Sequence, residues 1–170
     1  MGLIYLIFGS RALVFHIIVS CLVTLMFEAV NYLEHYGLQR KLIPGSDSVY
    51  ESVKITHSWN APQVVTNYAL FKLQRHSDHH ANAYKPYQVL ESLEESPMLP
   101  YGYSVCLLIC IFPYIWKKVI NPMAIATNKG EKITEEVKQE IERWVLGTLI
   151  FTSSVLTYFT FFMVDLKSQP

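Results

Sequence analysis

Three histidines stand at i, i+3 and i+4 in the string Leu73-Gln74-Arg75-His76-Ser77-Asp78-His79-His80. On an α-helix these positions share one face. His76, His79 and His80 are therefore candidate ligands for one metal or a pair of metals, since neutral imidazole suits iron, zinc, copper and nickel. Asp78 and Arg75 lie beside them, placed to orient rings or neighbouring carboxylates. A solvent-facing polar turn rich in histidine gives the same string. A second cluster, Asn31-Tyr32-Leu33-Glu34-His35-Tyr36-Gly37-Leu38, sets His35 next to Glu34 at the end of a long apolar stretch. Ionisable groups at membrane depth are costly without a role, although that cost relaxes at the interface. His57-Ser58-Trp59-Asn60 reads as a loop histidine or a cap partner. His16 reads as a packing or interhelical hydrogen-bonding group.

The elements that must position these residues are mostly apolar. Hydrophobic residues make up 51% of the 170 and charged residues 16%, against roughly 25% charged in a typical soluble domain. The mean hydropathy is +0.23. Fourteen basic residues balance fourteen acidic ones, so no excess points to nucleic acid or to an acidic tail. Cys21, Cys106 and Cys110 lie inside apolar runs and read as small hydrophobes, not as a disulfide framework or zinc site. Composition thus leaves a membrane protein or part of one. Its long apolar runs are expected to make it all-α, a partial transmembrane helical bundle with a histidine-rich cytosolic region.

The first apolar block, Gly2 to Leu33, is interrupted at Gly9-Ser10-Arg11, and Ala12–Leu33 is long enough to span. It lacks the charged leader and cleavage site of a signal peptide. From Glu34 to Pro100 the chain turns polar, and a helix from about Ala61 or Pro62 to about Ala81 is expected, with Asn60 as its cap. Tyr101–Trp116 contains Pro113 and is short for a span, so it reads as an interfacial or re-entrant segment. An amphipathic charged helix, Thr134–Arg143, then leads into a second spanning block, Trp144–Val164. The aromatic strip Tyr158, Phe159, Phe161 and Phe162 in that block reads as lipid-facing or packing surface. Lysines and arginines cluster between Glu34 and Arg143, which puts that region, histidines included, on the cytosolic side.

The strings NYLEHYGL (Asn31–Leu38), HSWN (His57–Asn60) and LQRHSDHH (Leu73–His80) closely resemble the integral-membrane alkane 1-monooxygenases, within the wider membrane desaturase and hydroxylase group. The likeness extends through Tyr87-Gln88-Val89-Leu90, Leu99-Pro100-Tyr101-Gly102-Tyr103 and Asn121-Pro122, over roughly Phe8 to Met123. It implies a helical bundle of six helices holding two irons at its cytosolic end through nine histidines. It further implies that His35, His76, His79 and His80 are four of those ligands and that His57 lies outside the set, while adjacency in sequence puts Glu34, Asp78 and Arg75 around them. The two earlier histidine boxes of that pattern, of the HExxH and HxxxHH kinds, do not occur here.

The chain is therefore expected to be the C-terminal part of such a protein, or a degenerate relative. Residues 1–123 would belong to the di-iron hydroxylase domain, 124–143 to a charged linker, and 144–170 to an additional helix and tail. The implied function is hydroxylation of the terminal methyl of alkanes or fatty-acyl chains, using O₂ and electrons from a rubredoxin-type donor. A basic surface of Lys54, Lys72 and Lys85 could dock such a donor. A lipid bilayer hosts the protein, bacterial inner membrane or eukaryotic endomembrane. With only four ligands, the 170 residues alone are expected to bind little iron and to leave octane unoxidised. The competing readings are a desaturase or other lipid hydroxylase of the same group, a non-catalytic membrane remnant and, distantly, a binuclear zinc hydrolase.

Overall fold

The structure is a computed structural model that describes the backbone of residues 1–168 and the side chains of residues 1–162. Asp165 and Lys167, which follow the last apolar block in sequence, lie outside the described side chains. Among the described residues there are six α-helices, two short 3₁₀ turns and no strand.

Helix α1 (Gly2–His35) is continuous except at Gly9, whose φ of 79° and ψ of −178° break it at the interruption expected from Gly9-Ser10-Arg11. Beyond that break the helix is long enough to cross a hydrocarbon core of ~30 Å at ~1.5 Å per residue. Its apolar side chains, from Leu3 and Phe8 to Phe27, are exposed on all sides, as suits a helix whose surroundings are lipid or other helices. The last helix, α6 (Glu135–Ser168), runs unbroken through both the charged Thr134–Arg143 stretch and the apolar block after it. Together α1 and α6 are the two helices long and apolar enough to span a membrane among the described residues.

Between them lie four shorter helices: α2 (Val64–Ala69), α3 (His76–Ala81), α4 (Tyr103–Cys110) and α5 (Pro113–Lys129). The run expected to form one interfacial segment is two helices. Pro113 sits in the first turn of α5, where its missing N–H costs nothing, and the chain changes direction there. Trp116, Val119, Ile120, Met123 and Ala124 repeat at helical spacing and form the buried face of α5. That face packs with Leu33 of α1, Tyr103, Cys106 and Ile109 of α4, Ile141 and Val145 of α6, and Trp59. Each large side chain so buried contributes about 1.5–3 kcal/mol. The core thus gathers at the end of α1 that carries His35.

The single helix expected over residues 61–81 is two helices separated by a turn. Phe71 and Lys72 adopt left-handed φ values of 50° and 57°, which no helix accommodates, at a cost of roughly 1–3 kcal/mol each. Long-range partners impose the break. Gln74, fully buried, accepts from Tyr103 N at 2.7 Å and donates to Thr66 Oγ1 at 2.8 Å. Asn60 does not cap the helix that follows it, whose N-cap is Gln63; its Oδ1 instead accepts from Ser77 N, in the first turn of α3, at 2.9 Å.

Candidate metal centre

His35 is the last residue of α1. Gly37, two residues on, turns the chain with a φ of +73°, and a Cβ there would stand 2.8 Å from the Cβ of Ala124. Only glycine meets both conditions at once. The turn lets α5 close against the end of α1 and fixes where the His35 ring emerges. The ring is aimed by a main-chain contact: Nδ1 donates to the carbonyl of His57 at 3.1 Å. That bond places the proton on Nδ1 and leaves Nε2 with its lone pair outward.

Nε2 of His35 lies 3.2 Å from Nε2 of His76, which lies 2.8 Å from Nε2 of His80. Ligand atoms of the three residues all fall within 4.8 Å of one another. Two nitrogens bound to one cation at ~2.0–2.1 Å stand roughly 3 Å apart, so the spacing suits a shared metal. His79 stands aside: exposed, with its ring centroid 6.0 Å from those of His76 and His80. The structure therefore brings together three of the four candidate histidines and leaves the fourth at the rim.

The electrostatics are those of an acceptor-rich site. Burial first, and then the neighbouring imidazoles, push the His76 ring far below the ordinary histidine range, to about 3. His80 is lowered by the same causes in the same order. Neutral rings are the form that binds metal. The buried Glu34 carboxylate approaches His76 Nε2 with Oε2 at 3.4 Å, and its Oε1 has no hydrogen-bond partner. Three imidazoles and a carboxylate converge with few donors among them, an arrangement that a cation completes.

The remaining candidates are placed differently from expectation. Asp78 does not face the imidazoles. It is fully buried and accepts from Asn82 Nδ2 at 2.7 Å, Glu91 N at 2.9 Å and Lys85 Nζ at 3.0 Å. It therefore ties the loop after α3 to that helix, because the loop offers it three donors and the histidine face none. Arg75 Nε is buried with no hydrogen-bond partner. The basic face expected of Lys54, Lys72 and Lys85 is largely neutralised. Lys54 pairs with Glu51 and Lys85 with Asp78, while Lys72 bonds the carbonyls of Gln88 and Leu90.

The HSWN segment does more than its string suggests. His57 is a loop histidine whose Nδ1 accepts from Lys54 N at 2.9 Å, closing the turn that carries the carbonyl beneath His35. Ser77 Oγ donates to the carbonyl of Ser58 at 3.0 Å, and Trp59 Nε1 donates to the carbonyl of Tyr36 at 2.8 Å. The segment thus spans from the end of α1 to the start of α3 and sets the distance between His35 and His76. Its mixture of polar and aromatic residues was the available signal, but its partners lie far off in sequence. Beside the histidines opens a cavity of about 650 Å³, lined by Met26, Phe27 and Val30 of α1 and by Glu34, His76 and His79 among others.

A helical membrane protein with imidazoles from two elements gathered at one end of a spanning helix is the class that fold and site define. The family model described as fatty acid desaturase matches residues 1–109. The chain belongs to that family. It is 45% identical over 126 residues to alkane 1-monooxygenase 2 of Alcanivorax borkumensis, covering 74% of this chain and 32% of that protein. It is 42% identical over 132 residues to alkane 1-monooxygenase 1 of Pseudomonas aeruginosa, covering 78% and 34%. The xylene/toluene monooxygenase hydroxylase component of Pseudomonas putida is 28% identical over 93 residues, covering 55% and 23%. The chain spans about a third of the length of the alkane monooxygenases it matches.

Proposed function

We propose that this chain carries part of the site of a non-haem di-iron monooxygenase that hydroxylates the terminal methyl of alkanes or fatty-acyl chains. The observation that carries the reading is the convergence of His35, His76 and His80 within 4.8 Å. The same imidazoles, with His79 at the rim, would hold iron. Bound there, iron supplies the redox chemistry that activates O₂ against a strong C–H bond. The protein's part is positional. The His57 carbonyl fixes the tautomer and aim of His35, Glu34 sets a buried carboxyl group beside the rings, and the apolar cavity receives an alkyl chain and excludes water. Alkane 1-monooxygenases among the relatives favour an alkane-like substrate.

Reducing equivalents must arrive from water, so the histidine end belongs at the cytosolic face, where a soluble rubredoxin-type protein would deliver electrons. Residues 1–123 would form the hydroxylase portion, 124–143 the charged stretch, and 144–170 an added helix and tail. The 170 residues carry four of the nine histidines that the family resemblance implies. On their own they should retain well under two irons per chain and leave octane unoxidised. The test is iron analysis of the purified chain together with product analysis of octane turnover in the presence of a reductant. Two irons per chain with octanol formed would overturn the incomplete-site reading. Alkene in place of alcohol from any iron-loaded form would overturn hydroxylation in favour of desaturation, and no cation binding at all would reduce the site to a scaffold.

A further inference from the structure

Phe71 and Lys72, both left-handed, form the turn between α2 and α3. Side chains of L residues avoid that region, and two in succession persist only where neighbours over-determine the backbone. Here Lys72 N donates to the carbonyl of Asn67 at 2.7 Å and its Nζ to that of Leu90 at 3.1 Å, while Gln74 anchors the far side to Tyr103. Burial does not offset the strain, because the Phe71 side chain is 68% exposed. Its ring meets Tyr87 edge to face, with centroids 5.6 Å apart, and forms a wall of the cavity that also contains Met26, Phe27 and His76. That cavity, at about 650 Å³, has the size of a small-molecule site.

We infer that Phe71 is a specificity-determining residue: its ring, held by the strained turn, sets how long an unbranched alkyl chain the cavity admits beside the histidines. The inference rests on the proposed reading of the cavity as the substrate site. Met26 and Phe27 belong to a membrane helix and His76 to the histidine cluster, so a molecule touching both must be apolar and slender. Phe71 lines the same cavity as Met26 and Phe27 of α1 and sits on a turn fixed at both ends, so a change in its ring size changes the space left beside the histidines.

The test is photolabelling of the full chain in phosphatidylcholine nanodiscs with decyl and hexadecyl probes tipped by a diazirine, the labelled peptides being read by mass spectrometry. Phe71→Ala should raise hexadecyl labelling of the Leu70–His79 peptide relative to decyl, by roughly fourfold for each further methylene accommodated. Phe71→Trp should shift the ratio the other way, and it keeps an aromatic ring should the alanine variant fail to fold. An unchanged ratio in both variants would overturn the role of Phe71 and leave the proposed function standing. Failure of every probe to label the cavity peptides in the wild-type chain would overturn both.

Discussion

Nδ1 of His35 donates to the main-chain carbonyl of His57 at 3.1 Å, so one histidine is aimed by another's backbone. The carbonyl is itself held by the His57 side chain, which accepts from Lys54 N. His57→Ala should therefore weaken metal binding without removing any imidazole of the cluster. Losses of this kind are about 10–100-fold in affinity. Titration with Co²⁺, followed by its visible absorption, measures the change, and His57→Asn should restore part of it by accepting from the same N–H.

The same titration separates the four candidate ligands. His76 is the hub, in contact with His35 and His80. His76→Ala should abolish the absorption of a single bound Co²⁺, whereas His79→Ala, at the exposed rim, should reduce affinity far less. Equal losses at both positions would show that His79 swings into the cluster on binding.

Gly37→Ala should destabilise the protein by about 1–3 kcal/mol, because it combines a positive φ with a 2.8 Å approach to Ala124. Ala124→Gly introduced with it should recover only the contact and not the backbone strain. Thermal unfolding in detergent compares the three proteins.

Asp78→Ala should cost about 1–3 kcal/mol, since it leaves Asn82 Nδ2 and Glu91 N without their buried acceptor while the partly exposed Lys85 ammonium turns to water. The loop after α3 should show faster amide hydrogen exchange, while Co²⁺ affinity changes less than in His57→Ala. Such an outcome separates a structural carboxylate from one that orients a ligand.

For the metal-free protein, pH dependence follows from His76. Its folded-state value is depressed from 6.5 to about 3, so between those values the unfolded chain binds the proton and the folded chain does not. Stability rises with pH in that window. The contribution of His76 is present in full above 6.5 and lost as pH falls toward 3. Thermal unfolding of the wild type should decline across that range more steeply than that of His76→Gln.

Much of this site is legible in the sequence, because spacing alone carries it. His76 and His80 are one helical turn apart and must share a face, and the apolar length from Ala12 to Leu33 delivers His35 to the end of a spanning helix. What is not legible depends on partners distant in sequence. Nothing near Phe71 announces that Gln74 will bond Tyr103 and break the helix expected there. Asp78 sits between two histidines in sequence, yet on the helix it faces the opposite way, toward Lys85 and Glu91 N. The serine pair Ser58 and Ser77 joins two strings that no local pattern relates.

His35 ends the same rod that begins in lipid, with a single break at Gly9. Its angular position and height are therefore set by counting residues along that rod. One residue inserted between Ala12 and Leu33 would turn everything on one side of it by about 100° relative to the other and lengthen the rod by about 1.5 Å. The bilayer acts as a ruler for the chemistry, and an indel there would displace the imidazole although it touches none of the atoms around it.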